Sequence, residues 1–417
     1  DDAARRILAV VKRMRLAEST PCAPPYCQEW LLRNVTGPAH AALARRLAAE
    51  SIVLLKNEGG VLPLSSASVR SIAIIGSAAV AQPYDPAGQG QGQSDAWRFG
   101  DYYSGGGSGH VVAGYVVTPL DGIRARAARA GIEVLTSLSY DEADAVAVAK
   151  TADVVIVVGA TTSGESVDRP NLTLDDGVDE LIPVVARHNN RTIVITEAPG
   201  AIVMPWRDSV QAILTLFLGG QETGSAWADV LFGDHAPTGR LPIMLPATEA
   251  DTIPPSTSLN ITYSEGLATS YRNENFAAAF PFGHGLAYTT FEYLGAAASA
   301  CPAEAAGAPL CIEAHVRNAG SVAGRTIAQL YLELPPEAGQ PAPFLKGFQK
   351  TGELAPGDSA AVTFTLTERD LSYFDPGSSM WTLAVNAIAH IGESSADIRH
   401  SVTLAVPGQG PASSTQA

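Results

Sequence analysis

Residues 153–158, DVVIVV, and the stretch after them, GATTSGESVDRPNLTL (159–174), set the fold class. The unbroken β-branched run from Val154 to Val158 leaves no polar face. A strand of that composition is buried on both sides, as strands of parallel sheets are. The loop that follows carries Glu165, Asp168 and Arg169 among small and polar residues. In open α/β sheets, ligand sites gather in loops beyond the carboxyl ends of the strands. A lone Glu in such a loop is ordinarily just solvated, so its surroundings must decide its role.

Working outward, strand and helix signals alternate. Strands are expected at 71–75 (SIAII), 132–135, 192–196 and 212–218. Helices are expected at 118–130, opened by Thr-Pro, and at 141–151, 177–189 and 222–232, the last stopped by Gly233. This alternation predicts a mostly parallel sheet with helices on both faces, an α/β/α sandwich over 41–250. Two further helices are expected nearer the start, at 1–16 and at 37–55, the second with an apolar stripe of Leu43, Leu47, Ile52 and Leu55. Residues 251–288 read as an irregular linker. From 289 to 405, period-two runs such as 311–316, 327–334, 359–366 and 381–391 predict an all-β sandwich. Residues 406–417 read as a disordered tail.

The 417 residues are 46 % hydrophobic and 17 % charged, which fits folded domains with sizeable cores. A net charge of −15 argues against nucleic acid or an anionic membrane as partner, since both call for a basic face. It suits a soluble protein with a neutral substrate. No apolar run approaches the ~20 residues of a membrane helix. The opening, DDAARRILAVVKRM, shows no signal peptide and reads as following processing or as an internal fragment.

Four cysteines fall in two local pairs, Cys22 with Cys27 and Cys301 with Cys311, and two short disulfides are expected. A zinc site would need closer pairs with nearby His. Sequons stand at Asn34, Asn171, Asn190 and Asn260. Sequons and paired cysteines together point to a secretory or extracellular glycoprotein.

The long gap from 77 to 117 exceeds ordinary connections and predicts a functional loop. Inside it lies SGGGSG (104–109). It does not join a strand to a helix, and no Lys-Ser or Lys-Thr follows, so it is no phosphate-binding loop. Gly105 to Gly107 would let the backbone approach a ligand closely; their plain reading is a flexible surface loop.

Several stretches in order resemble glycoside hydrolase family three, the β-glucosidase and β-xylosidase group. LARRLAAESIVLLKNEGGVLPL (43–64) is similar to the entry into that family's α/β/α domain, and YYSGGGSGH (102–110) to its glycine-rich loop. LGGQETGSAWADVLFGDHAPTGRLPIMLP (218–246), YSEGLATSYR (263–272) and FPFGHGLAYTTFEY (280–293) match further distinctive segments. VRNAGSVAGRTIAQLYLELP (316–335) and FLKGF (344–348) resemble its fibronectin type III-like domain.

The resemblance implies that Glu165 is the general acid/base of a retaining hydrolysis. One carboxyl must protonate the leaving oxygen and later deprotonate water. Asp168 is the second choice for that role; with Arg169 it is expected to form an ion pair that shapes the loop. Gly106, Gly107, Ser108, Asp168 and Arg169 are expected to line the sugar. The resemblance implies a β-linked oligosaccharide or aryl glycoside as substrate, and no metal or organic cofactor.

The family's nucleophile is an Asp on an N-terminal (β/α)8 barrel, and residues 1–16 resemble only that barrel's last helix. A companion barrel chain is therefore the expected partner, and this chain alone is expected to be inactive or nearly so. SDAW (94–97) has a superficial likeness to a nucleophile motif, but it falls in the sandwich loop, where Asp95 reads as surface and Trp97 as packing. Val178 stands where the family commonly has Gln. The GGGSG loop leans towards the β-glucosidases and ESVDR towards the β-xylosidases. The alternative is a non-catalytic carbohydrate-binding or structural extracellular protein derived from the family.

Overall fold

The computed structural model describes residues 1–16, 18, 27, 33, 35–81, 101–107, 109–111, 113–165, 168–254, 256–302 and 308–407. The chain divides into two compact units, Asp1–Leu43 and Ala44–Ala417. In the first, α1 (Asp2–Arg13) begins on Asp2 and ends on Lys12 and Arg13, each charge complementing the helix dipole. None of its residues is buried, and Ile7, Leu8, Val10 and Met14 are exposed.

A helix, α2 (Pro38–Ser51), runs almost directly into the sheet of the second unit. Its strands are β1 (Val53–Asn57), β2 (Ser71–Ile75), β3 (Glu133–Ser137), β4 (Val154–Ala160), β5 (Thr192–Glu197) and β6 (Ala212–Leu216). They lie in the order β1-β6-β5-β4-β2-β3. All neighbours are parallel except β1, which runs antiparallel to β6 with Val53 opposite Thr215. The fold is the expected α/β/α sandwich. Residues 53–57, however, form the edge strand of the sheet and not the end of a helix. Leu43 and Leu47 are exposed on α2, while Ile52 and Leu55 are buried.

The helices are α3 (Pro119–Arg129), α4 (Glu142–Thr151), α5 (Val178–His188) and α6 (Thr223–Leu231). Successive β4 residues feed two different cores. Val154, Ile156 and Val158 join Ile123 of α3 and Trp227 of α6 on one face. Val155 and Val157 join Ala145 of α4 and Ile182 of α5 on the other. Burial on both faces is why the strand is apolar at every position. Thr118 caps α3 by accepting from the Asp121 N–H at 3.2 Å. α3 and α6 meet backbone to backbone. A methyl group on Gly122 would lie 1.9 Å from the Gly224 carbonyl oxygen, so glycine alone permits that contact.

After the short pair β7 (Leu245–Pro246) and β8 (Ala278–Phe280) comes an all-β sandwich. Its strands are β9 (Phe291–Ser299), β10 (Leu310–Asn318), β11 (Ile327–Glu333), β12 (Phe344–Lys350), β13 (Ser359–Leu366), β14 (Ser372–Asp375), β15 (Met380–Leu383), β16 (Asn386–Ser394) and β17 (Asp397–Ala405). A three-stranded sheet, β13-β10-β9, faces a four-stranded one, β12-β11-β16-β17, and β14-β15 is a separate hairpin. Ile312, Val316, Leu330, Phe364 and Ile391 centre the core. The expected strand at 381–391 is two, interrupted at Ala384 and Val385. Val406 is buried and its N–H donates to the Val385 carbonyl at 3.1 Å, so order extends past 405; residues 408–417 lie outside the described ones.

Cys301 and Cys311 are bonded, as expected, bridging the end of β9 to β10. Cys27 is also disulfide-bonded. Cys22 and Asn34 lie outside the described residues, while Asn171, Asn190 and Asn260 are exposed. Among the described residues, no helix is long and apolar enough to cross a membrane.

Candidate active site

Glu165 is exposed on the loop beyond β4, where the sheet geometry places ligands. Two backbone contacts start that loop. The Thr161 N–H donates to the Glu197 carbonyl at 3.0 Å, and the Thr162 hydroxyl donates to the Asp101 carbonyl at 2.9 Å. The glycine-rich loop then docks onto it. The Gly106 N–H donates to the Ser163 carbonyl at 2.9 Å, and Gly106 pairs with Gly164 as an isolated parallel bridge. Gly107, at φ +89°, presses its bare Cα against Glu165: a methyl there would fall 2.3 Å from Glu165 Cβ. The structure therefore brings Gly106, Gly107 and Glu165 together, although they are far apart in sequence.

The glycine-rich loop is itself held from within. Asp101, fully buried, accepts from the Tyr103 N–H at 3.1 Å and the Ser104 N–H at 3.2 Å. His110 Nδ1 lies 3.4 Å from the Asp101 carboxylate and 2.7 Å from the Gly105 carbonyl. Asp101 and His110 thus clasp the two ends of the loop. Tyr102 donates its hydroxyl to Asp175 at 3.2 Å and Tyr103 its hydroxyl to the Ala81 carbonyl at 2.5 Å. Burial pushes both phenols far above their ordinary range.

The far limb of the Glu165 loop is anchored by Asp179. Its carboxylate accepts from the Leu174 N–H at 2.8 Å and from Trp206 Nε1 at 2.6 Å. Burial raises its pKa despite both hydrogen bonds. The Leu172 N–H donates to Glu249. Arg169 corrects the expectation made from the sequence. Its Nη2 donates to the Ala201 carbonyl at 2.6 Å, while Asp168 is exposed, and no ion pair joins the two. Arg169 is drawn inward, where desolvation lowers its pKa against the pull of Asp175 and Glu249. Asn171 closes a local turn, accepting from the Thr173 N–H and hydroxyl at 3.2 and 2.7 Å. Ser108, Asp95 and Trp97 lie outside the described residues.

Glu197, the last residue of β5, carried no signal in the sequence. It is fully buried and accepts from Trp227 Nε1 at 2.8 Å through Oε1. No described group reaches Oε2. Desolvation pushes this carboxyl up to about 8, with the Trp227 hydrogen bond opposing. Asp101 and His110 were likewise missed as loop-holding groups. Among the described residues, no cluster of three or more His, Cys, Asp or Glu could hold a metal ion.

The molecule thus pairs a doubly covered α/β sheet, whose carboxylate loop is braced by a glycine-rich loop, with a following β-sandwich. Residues 52–288 match the glycosyl hydrolase family 3 C-terminal domain, and residues 326–395 match the fibronectin type III-like domain. The chain belongs to glycosyl hydrolase family 3. It is 37 % identical over 397 residues to a probable beta-glucosidase L of Emericella nidulans, covering 88 % of this chain and 53 % of that relative. Among solved structures it is similar to the beta-glucosidase D2-BGL of Chaetomella raphigera (TM-score 0.81, 32 % identity, 89 % of this chain and 55 % of the other). It is equally similar to a beta-D-glucoside glucohydrolase of Trichoderma reesei (TM-score 0.81, 32 % identity, 90 % and 56 %). The chain thus spans about half the length of the relatives it matches.

Proposed function

We propose that this chain is the part of a β-glucosidase-like retaining hydrolase that supplies the general acid/base, Glu165. The observation that carries this reading is the docking of Gly106 and Gly107 onto Ser163–Glu165, which fixes the backbone beneath an exposed carboxylate. Glu165 protonates the departing glycosidic oxygen and then takes a proton from the attacking water. Retention needs a second carboxyl about 5–5.5 Å from the first, acting as nucleophile. That group lies on the (β/α)8 barrel that the family resemblance implies, outside residues 1–417, and these residues by themselves are inactive or nearly so. The substrate is a β-linked oligosaccharide or aryl glycoside, from which a terminal glucosyl unit is released. The Gly106–Gly107 backbone and Asp168 form the sugar side, while Arg169 braces the loop through Ala201. Secretion is supported by the Cys301–Cys311 disulfide and by exposed sequons at Asn171, Asn190 and Asn260.

The test is Glu165→Gln in the assembly of this chain with its barrel. Hydrolysis of glucosides with poor leaving groups should fall by about 10²–10⁴-fold, and that of activated aryl glucosides far less. Equal, small losses on both would remove Glu165 from the role.

A further inference from the structure

The β-sandwich carries an aromatic surface that its core does not use. In the β14–β15 hairpin, Phe374 pairs across the strands with Trp381, and their rings meet edge-on at 6.0 Å. Phe374 is 49 % exposed and Trp381 52 %. Beside them Met380 and Val385 are also exposed. The Arg369 guanidinium lies 3.6 Å over the indole and holds its plane. Adjacent exposed aromatic and aliphatic side chains form the kind of contiguous apolar patch that marks an interaction surface.

Two concavities meet at Trp381. One, of about 640 Å³, is lined by Glu368, Arg369, Ser372 and Val385 together with the indole. The other, of about 690 Å³, adds Arg272, Glu337, Gln340 and Tyr373 and shares Arg369, Ser372 and Trp381 with the first. Both volumes fall in the ~300–1,000 Å³ range of small-molecule sites. The lining offers hydroxyl, amide, carboxylate and guanidinium groups, so it can donate and accept without selecting a charge. Part of it is already ordered: Arg272 donates to Gln340 at 3.0 Å, and Lys346 pairs with Asp370 at 3.3 Å. Ordering before binding lowers the entropy lost on association.

A β-linked glucose chain has the matching chemistry. Its rings present flat faces of C–H groups for an indole and rims of hydroxyls for polar side chains. A protein partner would ask for a wider, drier patch than two rings between polar grooves. Because the chain belongs to a family of glycosyl hydrolases, a glycan is the ligand class that fits this surface. We propose that the Trp381 surface is a non-catalytic binding site for β-glucan chains, separate from the Glu165 loop. The proposal rests on family membership and not on the role given to Glu165.

The test is affinity electrophoresis of the full chain in native gels containing soluble mixed-linkage β-glucan, with dextran gels as control. The wild-type chain should be retarded by the β-glucan and not by dextran. Trp381→Ala should weaken that retardation at least tenfold with an unchanged unfolding temperature. Glu165→Gln should keep the wild-type ratio of mobilities with and without β-glucan, which keeps this outcome independent of the catalytic reading. Undiminished retardation of Trp381→Ala, equal retardation in dextran, or no retardation at all would overturn the proposal. So would a change in oligomeric mass on Trp381→Ala without glucan binding, which would make the patch a protein contact.

Discussion

Gly107 and Glu165 touch through backbone and Cβ, with room for nothing larger than hydrogen between them: a methyl on Gly107 would stand 2.3 Å from Glu165 Cβ and 2.8 Å from its amide nitrogen. The φ of +89° at Gly107 adds a conformational demand that side chains rarely meet. Gly107→Ala should therefore lift the glycine-rich loop off the Glu165 loop, with a local strain of about 1–3 kcal/mol. Limited proteolysis should cut residues 101–110 faster in the variant, while the unfolding temperature of the β-sandwich stays put. Cleavage at the wild-type rate would mean that the two loops are held together by other contacts.

Glu197 should make the α/β/α domain less stable as pH rises. Its ordinary pKa is 4.5 and burial pushes it up to about 8 in the folded chain. Below about pH 4.5 both folded and unfolded forms are protonated, and the group has no effect. Between the two values the unfolded chain ionises and the folded chain does not, so stability falls by about 1.4 kcal/mol per pH unit, and the loss levels off above pH 8. Glu197→Gln keeps an oxygen for Trp227 and removes the titration. Denaturant unfolding of the variant should depend less on pH between 5 and 8 than that of the wild type. Parallel curves would show that Glu197 is ionised when folded.

Arg240 and Glu393 form a nearly buried ion pair, with side chains only 11 % and 15 % exposed. The Thr326 hydroxyl donates to Glu393 at 2.9 Å. Arg240 precedes β7 and Glu393 lies on β16, so the pair ties the α/β/α domain to the β-sandwich. Glu393→Ala leaves a guanidinium stranded and should lower stability by about 3–5 kcal/mol. Replacing both partners with apolar residues should restore much of the loss. Denaturation curves of the two variants decide this; equal losses would point to the Thr326 hydrogen bonds instead.

Gly122→Ala should loosen the contact between α3 and α6. The added carbon would sit 1.9 Å from the Gly224 carbonyl oxygen and 2.9 Å from the Ser225 nitrogen, both backbone atoms that a rotamer change cannot move. The helices must part, at a loss of about 1–3 kcal/mol or more. Circular dichroism melts should show the drop, and an unchanged melt would mean that α3 shifts freely.

The α/β alternation was readable because the central strands are largely apolar and helices carry their own starts or stops, as with Thr118 before α3. β1 was not readable. Leu47, Ile52 and Leu55 keep a helical spacing, no breaker separates them, and it is pairing with β6, with a bridge from Leu54 to Leu286, that makes residues 53–57 a strand. The Glu165 loop and its glycine-rich partner were legible as a resemblance between segments, whereas their contact is a property of the folded sheet. Arg169 beside Asp168 suggested a pair, because sequence shows neighbours but not the inward carbonyl of Ala201 that captures the guanidinium. Glu197 carries no signal in the sequence because its burial depends on Trp227, which arrives thirty residues later in the chain.

β1 also dictates an order of events during synthesis. It leaves the ribosome before every other strand of its sheet, yet its partner, β6, is the last of them to emerge. Until Thr215 is available to Val53, the apolar VLL segment has no ladder to join and remains an open template for other chains. A nascent chain must hold that segment in reserve while β2 to β5 assemble. The sheet closes only when its first strand finally docks at the edge, a long-range pairing of the kind that slows folding.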